Sequence, residues 1–114
     1  MRDKKILVTG AGGFIPSHVV EALVNEGARV VALVHYNGRG DIGNLRFLGK
    51  DLLASVELVF GDVRDAFMVR TLAEGCDAIV HMAALIGIPY SYVAPASYIE
   101  TNVSGTLNIL EAAR

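Results

Sequence analysis

The chain has 114 residues, of which 53% are hydrophobic, and its formal net charge is −2. This size and composition suit one domain, residues 1–114, and the charge offers no basic surface for nucleic acid. No apolar run approaches the roughly 20 residues that span a bilayer, and a single cysteine, Cys76, excludes an internal disulfide. The first residues run straight into an apolar segment, so we expect no signal peptide, no membrane partner and a cytoplasmic location.

Apolar strands alternate with helices along the whole chain. The predicted strands are continuous apolar runs, which is typical of strands that are buried on both faces of a sheet. They lie at about 5–9, 29–34, 56–60 and 78–82, and the helices lie at about 14–26, 42–50, 66–74 and 95–113. Repeated strand–helix units with right-handed crossovers predict an α/β fold: a three-layer, doubly wound parallel sheet in the order 3-2-1-4.

A glycine-rich turn separates the first strand from the first helix. Residues 8–18 read Val-Thr-Gly-Ala-Gly-Gly-Phe-Ile-Pro-Ser-His. Gly10 suits the tight turn after the strand, and Gly13 leaves the backbone open to a phosphate. The N–H groups that begin the helix, at Phe14 and Ile15, favour a pyrophosphate together with the helix dipole. The sequence therefore predicts dinucleotide binding here, and the alternative is a turn that is only structural.

Pro16 stands where such a turn is expected to have its third glycine. Proline is tolerated in the first turn of a helix, because its missing N–H would have no partner there. We therefore expect the fold to survive. The affinity for the ligand is expected to fall, because the ring adds bulk and removes a donor.

The segment after the second strand bears on the type of dinucleotide. A site for NAD usually has an acid here that binds the ribose hydroxyls, whereas this chain has no carboxylate before Asp41. Arg39 offers a guanidinium for a 2′-phosphate, which favours NADP over NAD, although it is equally well read as a solvated loop residue. The candidate binding residues in this segment are His35, Tyr36, Asn37 and Arg39. His35 or Tyr36 would stack on the adenine.

Four motifs occur in an order and at spacings that resemble one family. They are Thr-Gly-Ala-Gly-Gly-Phe-Ile at 9–15, Gly-Asp-Val-Arg-Asp at 61–65, His-Met-Ala-Ala at 81–84 and Asn-Val-Ser-Gly-Thr at 102–106. Together they resemble the extended short-chain dehydrogenase/reductases, the NAD-dependent epimerase/dehydratase group that acts on nucleotide sugars. Residues 84–92 look more particularly like the nucleotide-sugar 4,6-dehydratases. The resemblance implies a Rossmann-type domain that binds NADP or NAD, with a nucleotide sugar as the substrate of a full-length parent.

The resemblance also implies an adenine site after the third strand. Asp62 would bind the adenine amino group, and Val63 would contact the ring through its backbone and side chain. The alternative for Asp62 is a cap on the following helix, a position that Asp65 can also take.

Two further segments are implied to contact the cofactor. Ala83 and Ala84 end the fourth strand, where small residues would let the ribose and pyrophosphate lie against the backbone, or would simply pack tightly. Asn102 lies in the last predicted helix, where asparagine is a poor helix former. It would help to order the active site, or would lie on a solvated helix face.

The catalytic pair of that family is absent from this sequence. Family members use a tyrosine and a lysine four residues apart on a later helix. Tyr36, Tyr90, Tyr92 and Tyr98 lack such a lysine, and Lys50 is the last lysine of the chain. We therefore expect an incomplete NAD(P)-binding domain without a substrate domain, catalytic residues or metal ligands. The alternatives are a stand-alone NAD(P)-binding module and a ligand-free fragment that acts as a structural or interaction unit.

An apolar stripe on the last predicted helix favours self-association. The stripe consists of Ile99, Val103, Leu107 and Leu110, at spacings of four, four and three. It is expected to pack partly on the sheet, while the strand at 78–82 would form an apolar edge. Relatives in the resembled family tend to dimerise through this helix, and Ile109 and Ala113 would extend the surface. We therefore expect a homo-oligomer, with two-fold symmetry the default.

Overall fold

Four parallel strands form the middle layer of the protein. The computed structural model describes residues 2–35, 41–83, 96 and 100–114. The strands are β1 (Lys5–Thr9), β2 (Arg29–His35), β3 (Glu57–Gly61) and β4 (Ala78–His81). The helices are α1 (Phe14–Asn25), α2 (Lys50–Ala54), α3 (Ala66–Ala73) and α4 (Gly105–Ala113), with a 3-10 turn at Gly43–Phe47 and a π-helical turn at Glu100–Ser104.

The sheet has the order β3-β2-β1-β4, and each pair of neighbours is parallel, which confirms the predicted topology. The register places Thr9 opposite both Leu33 and His81, and His35 opposite Gly61. The carboxyl ends of all four strands therefore meet at one edge. In open α/β sheets this edge is where ligands bind.

Helical layers cover both faces of the sheet. On one face, Val20 of α1 and Leu45 of the 3-10 turn pack against the strands. On the other face, Val69 of α3 and Ile109 of α4 pack against Leu7 and its neighbours in β2. Full burial of a Leu, Ile or Val side chain is worth about 1.5–3 kcal/mol, so continuous apolar strands are stable only in such a three-layer arrangement. Among the described helices, none is long and apolar enough to cross a membrane.

The helix predicted at 42–50 is wrong. The segment instead forms the 3-10 turn and, after an extended Leu48 (φ −74°, ψ 151°), the short helix α2. The cause lies outside the segment: the backbone N–H and side-chain Nδ2 of Asn44 both donate to the carbonyl oxygen of Gly12, at 2.8 and 3.2 Å. The side chain of Asp41 accepts from the N–H of Gly43 at 2.8 Å. These bonds fix a turn where the sequence pattern indicated a regular helix.

The expected packing of the last helix is also corrected. Val103, Leu107 and Leu110 are exposed, and Ile109 is buried against the sheet instead. The stripe therefore faces away from the core, and Ile109 does not extend it. The expected start of this helix at 95 and the residue Ile99 lie outside the described residues.

Candidate functional site

The glycine turn lies at the carboxyl edge of β1. Gly10 adopts a left-handed conformation, with φ +65°. A Cβ atom on Gly10 would lie 2.8 Å from the Cα of Ala83 and 2.9 Å from the carbonyl oxygen of Met82. The N–H of Gly13 donates to the carbonyl oxygen of Gly10 at 3.0 Å and closes the turn. Glycine is therefore required at position 10 both by the backbone conformation and by the close approach of the end of β4.

Helix α1 begins directly after this turn, with Gly13 as its N-cap. The N–H groups of Phe14 and Ile15 have no acceptor within the helix, because they belong to its first turn. Their side chains are exposed, which leaves the helix start accessible. Pro16 is the third residue of α1 and is buried, and the N–H of Ser17 makes the first helical bond, to the carbonyl oxygen of Gly13 at 3.0 Å. The prediction that the fold tolerates Pro16 is thereby confirmed, and its effect on affinity stays a prediction.

A cavity of about 240 Å³ opens beside the turn, between the ends of β1 and β2. It is lined by Gly10, Gly12, Gly13, Val34, His35, Asp41 and Gly43. Three of these residues are glycines of the turn, so backbone rather than side chains forms much of one wall. The cavity is smaller than the roughly 300–1,000 Å³ of a typical ligand pocket, so it suits part of a dinucleotide rather than all of it.

Asp41 is a cavity residue that the sequence pattern does not single out. It is the first carboxylate after β2, but it follows the strand by six residues rather than directly. The Asx turn to Gly43 and the bonds from Asn44 to Gly12 bring this segment back to the glycine turn. A carboxylate at this position is the type of group that binds ribose hydroxyls.

Asp62 follows β3 at the same edge of the sheet. Its Oδ1 accepts from the N–H of Arg64 at 2.9 Å, and its Oδ2 accepts from the Nε and Nη2 of Arg64 at 2.9 and 2.7 Å. Burial raises the pKa of Asp62, but the hydrogen bonds and charge of Arg64, with a contribution from His35, outweigh it and lower the pKa overall. The carboxyl is therefore ionised and acts only as an acceptor. His35 Nδ1 lies 3.9 Å from Asp62 Oδ2. Because His35 lines the cavity, Asp62, the residue predicted to bind adenine, lies next to the cavity wall.

The neighbours of Asp62 have separate structural roles. The cap of α3 is Asp65, whose side chain accepts from the N–H of Met68 at 3.1 Å, so the alternative of Asp62 as this cap is wrong. The side chain of Val63 is 4% exposed and packs into the core beside α3 and α4. A ring at this position would therefore meet mainly the backbone of Val63.

A hydrogen-bonded chain connects the turn to β4 and α4. The buried Thr9 Oγ1 accepts from the N–H groups of residues 82 and 83, at 2.9 and 3.1 Å, and lies 2.7 Å from His81 Nδ1. His81 Nε2 lies 3.1 Å from Thr106 Oγ1, which donates to the carbonyl oxygen of Asn102 at 2.7 Å. Because the Thr9 oxygen already accepts two bonds, its own proton goes to Nδ1, and His81 is neutral with its hydrogen on Nε2. Burial lowers the pKa of His81, in agreement with this state.

The structure thus brings most of the sequence-predicted residues to one edge. Gly10, Gly13 and His35 line the cavity, Asp62 lies beside His35, and Ala83 lies against Gly10. Asn102 lies in the π-helical turn before α4, with its backbone at the end of the hydrogen-bonded chain. The predicted residues outside the described part are Tyr36, Asn37, Arg39 and Ala84. In the part of the chain that is described, no three His, Cys, Asp or Glu residues form a group that could hold a metal ion.

The comparison with known proteins decides the family, since residues 7–114 match the family described as GDP-mannose 4,6 dehydratase. The chain belongs to this family. It is 35% identical over 117 residues to UDP-glucuronate 4-epimerase 3 of Arabidopsis thaliana, covering 99% of the chain and 27% of that protein. It is also 36% identical over 114 residues to dTDP-glucose 4,6-dehydratase of Mycobacterium tuberculosis, covering 96% of the chain and 33% of that protein.

The fold of this GDP-mannose 4,6 dehydratase family member is shared with solved epimerases. The UDP-glucose 4-epimerase of Bifidobacterium longum, solved in complex with NAD+ and UDP, superposes with a TM-score of 0.76 at 31% identity, covering 96% of this chain and 33% of that one. The resemblance to the nucleotide-sugar epimerase/dehydratase group and the Rossmann-type fold are thereby confirmed. The chain spans about a third or less of the length of these relatives.

Proposed function

We propose that the chain is the dinucleotide-binding part of a nucleotide-sugar epimerase or dehydratase, an incomplete domain over residues 1–114. The observation that carries this proposal is the side-chain-free wall of the cavity, where Gly10, Gly12 and Gly13 lead into the start of α1. The functions of the similar epimerases and dehydratases, and the NAD+ bound in one of the solved structures, support the cofactor class.

The residues at this edge suit three parts of a dinucleotide. The N–H groups of Phe14 and Ile15, with the positive end of the α1 dipole, would hold the pyrophosphate. Asp41 would accept from ribose hydroxyls, and Asp62 from the adenine amino group. Carboxylates accept from hydroxyl and amino donors, whereas the N–H groups and positive dipole end of α1 suit phosphates. When bound, the nicotinamide would supply hydride transfer, and the described residues would hold the adenosine half.

Two residues, Arg39 and Asp41, favour different cofactors. The sequence favours NADP, because Arg39 offers a guanidinium and β2 ends without an acid. Asp41 in the cavity wall favours NAD, because a carboxylate accepts from the 2′-hydroxyl and repels a 2′-phosphate. We retain the preference for NADP as the proposal to be tested, and tighter binding of NAD would contradict it.

The test is a calorimetric titration of the chain with NAD, NADP and their reduced forms. Binding of at least one of them with one-to-one stoichiometry is the expected result. Gly13→Glu is the matched negative variant, because it places a carboxylate where the pyrophosphate is proposed to lie. Equal heats for the chain and this variant, or no binding by the chain, would refute the proposal.

The chain is also proposed to be unable to turn over a substrate by itself. The support is the missing Tyr-x-x-x-Lys pair, since none of the four tyrosines has a lysine four residues later. The expected result is that UDP-glucose and dTDP-glucose are recovered unchanged after incubation with the chain and cofactor, with no change in nicotinamide absorbance. Sustained reduction of NAD or conversion of either sugar would overturn this part of the proposal.

We propose in addition that the chain forms a homo-oligomer in the cytoplasm. Self-association is supported by an apolar surface formed by Val103 of the π-helical turn and Leu107 and Leu110 of α4, because all three residues are more than half exposed. The second candidate contact is the outer edge of β4, which pairs only with β1 among the described strands. The cytoplasmic location is supported by the single cysteine, Cys76, which is unpaired.

A further inference from the structure

The turn after β3 is held from outside by an asparagine of α4. Asn108 Nδ2 donates to the carbonyl oxygen of Val63 at 2.9 Å and to that of Arg64 at 3.1 Å. These two bonds use both N–H donors of the amide, so its orientation is determined: the opposite orientation would place the amide oxygen against two carbonyl oxygens. Asparagine is a poor residue for a helix interior, and a specific contact is therefore needed to explain it in α4.

The same turn carries the carboxylate of Asp62. The N–H of Asp65 donates to the carbonyl oxygen of Asp62 at 3.0 Å, which closes a four-residue turn. Inside it, the N–H of Arg64 donates to Asp62 Oδ1 at 2.9 Å. That N–H and the carbonyl of Val63 belong to one peptide unit, which is planar and rigid. Asn108 therefore binds the carbonyl oxygen of this peptide, and the N–H group on the opposite side of the same peptide binds the Asp62 carboxylate.

We propose that Asn108 is a positioning residue for adenine recognition. It fixes the peptide between Val63 and Arg64, and this peptide aims the Asp62 carboxylate at the adenine amino group. The inference rests on the proposed function, in which Asp62 binds that amino group. Among the described residues, the side-chain amide of Asn108 hydrogen-bonds to the carbonyl oxygens of Val63 and Arg64.

The test compares two dinucleotides that differ at the adenine. In nicotinamide hypoxanthine dinucleotide, an oxygen replaces the amino group and N1 carries a hydrogen, so Asp62 loses the amino donor and meets an acceptor at that position. Calorimetric titration should show that the chain prefers NAD to this analogue. Asn108→Ala should weaken NAD binding about fivefold, the equivalent of one hydrogen bond, and leave the affinity for the analogue unchanged.

Two further variants separate positioning from folding. Asn108→Asp keeps the side-chain shape but turns an acceptor toward two carbonyl oxygens, and should reduce the preference for NAD at least as much. Asn25→Ala removes an exposed asparagine at the end of α1, by the opposite edge of the sheet, and should change neither affinity. A general loss of structure would weaken both dinucleotides alike, so the ratio of the two affinities is the decisive measurement.

The possible failures are distinguishable. If the Asn108→Ala variant keeps the preference for NAD, or loses both ligands equally, the positioning role is wrong and the proposed function stands. If the unaltered chain binds both dinucleotides equally, Asp62 does not recognise the amino group, and this inference fails while cofactor binding remains. If the unaltered chain binds neither dinucleotide, the proposed function fails and this inference with it.

Discussion

Alanine at Gly10 should destabilise the chain through two separable effects. The first is the left-handed backbone, φ +65°, which alanine adopts only at a cost. The second effect is a steric clash, because the new Cβ would lie 2.8 Å from the Cα of Ala83 and within 2.9 Å of two other backbone atoms. Gly75 provides a matched control: its φ is +76°, and nothing lies within 4 Å of the corresponding Cβ position.

The comparison of the two variants isolates the close approach. The left-handed conformation costs alanine about 1–2 kcal/mol at either position. Forcing an extra methyl group against packed backbone costs about 1–3 kcal/mol more, and only at Gly10. The smaller entropy of an unfolded chain with alanine acts on both variants equally and cancels in the difference. Gly10→Ala should therefore lower the free energy of unfolding by about 1–3 kcal/mol more than Gly75→Ala.

Thermal unfolding followed by far-ultraviolet circular dichroism measures this difference. For a domain of this size, each kcal/mol corresponds to about 4 °C in Tm, so Gly10→Ala should melt about 4–12 °C below Gly75→Ala. Urea unfolding should give the same order with an unchanged slope. Equal losses of unfolding free energy in the two variants would show that the backbone of residues 82 and 83 moves aside without an energetic penalty, and would refute the argument from the close approach.

Three further predictions concern the cofactor and the buried histidine. Pro16→Gly should tighten dinucleotide binding by restoring an N–H donor and removing the ring, and equal calorimetric affinities would contradict this. Arg39→Ala should weaken NADP selectively, so a parallel loss of NAD affinity would exclude recognition of the 2′-phosphate. Because burial lowers the pKa of His81, the unfolded chain binds its proton at higher pH than the folded chain. The stabilisation from neutral His81 is fully present above the ordinary pKa of 6.5, and it is lost as pH falls through the lower pKa of the folded chain. The free energy of unfolding in urea should therefore fall less between pH 7.5 and 5.5 in His81→Gln than in the unaltered chain. The contribution of Asp62 to stability does not affect this comparison, because its pKa is lowered from 3.8 and its stabilisation is lost only as pH falls below that value.

The parts of the fold that follow from local patterns were predictable. The buried strands are continuous apolar runs, and the alternation of strands and helices leaves few topologies once crossovers are right-handed. The glycine turn was predictable because its features are also local. Gly10 has a left-handed backbone, and Gly13 is the N-cap of the helix that begins at the next residue.

The parts that depend on distant contacts were not predictable. The segment at 42–50 has the apolar residues of a helix, but Asn44 bonds to Gly12, which is 32 residues away. Likewise, Thr9 and His81 are separated by 72 residues, and Asn108 and Val63 by 45. The local signal of the last contact is an asparagine in a helix interior, and both Asn102 and Asn108 carry that signal, so it does not single out Asn108.

The last helix shows that a repeat of apolar residues does not determine which face is buried. Val103, Leu107 and Leu110 were predicted to pack partly on the sheet, and all three are exposed. Ile109 and Ala112 of α4 pack against the core instead. The spacing of residues predicts which side chains share a helix face, but the contacts of α4 with distant elements decide which face meets the sheet.

That exposed face leads to the prediction of self-association. Val103, Leu107 and Leu110 are 64%, 55% and 63% exposed, and Leu107 and Leu110, three residues apart in α4, share one helix face. Three side chains provide less than the roughly 800 Å² per partner of a stable interface, so they are expected to form its centre rather than its whole. A two-fold arrangement would bury the same face on both copies.

Val103→Glu tests this arrangement directly. Placing a carboxylate at the centre of an apolar contact should weaken association at least tenfold, because each buried, unpaired charge costs several kcal/mol. Phe47→Glu is the matched control, because Phe47 is 71% exposed and belongs to the helical layer on the opposite face of the sheet. Sedimentation velocity at micromolar concentration should show a dimer or larger species for the chain and for Phe47→Glu, and a smaller species for Val103→Glu. A chain that sediments as a monomer, or an oligomer that survives Val103→Glu, would exclude association through this face of α4.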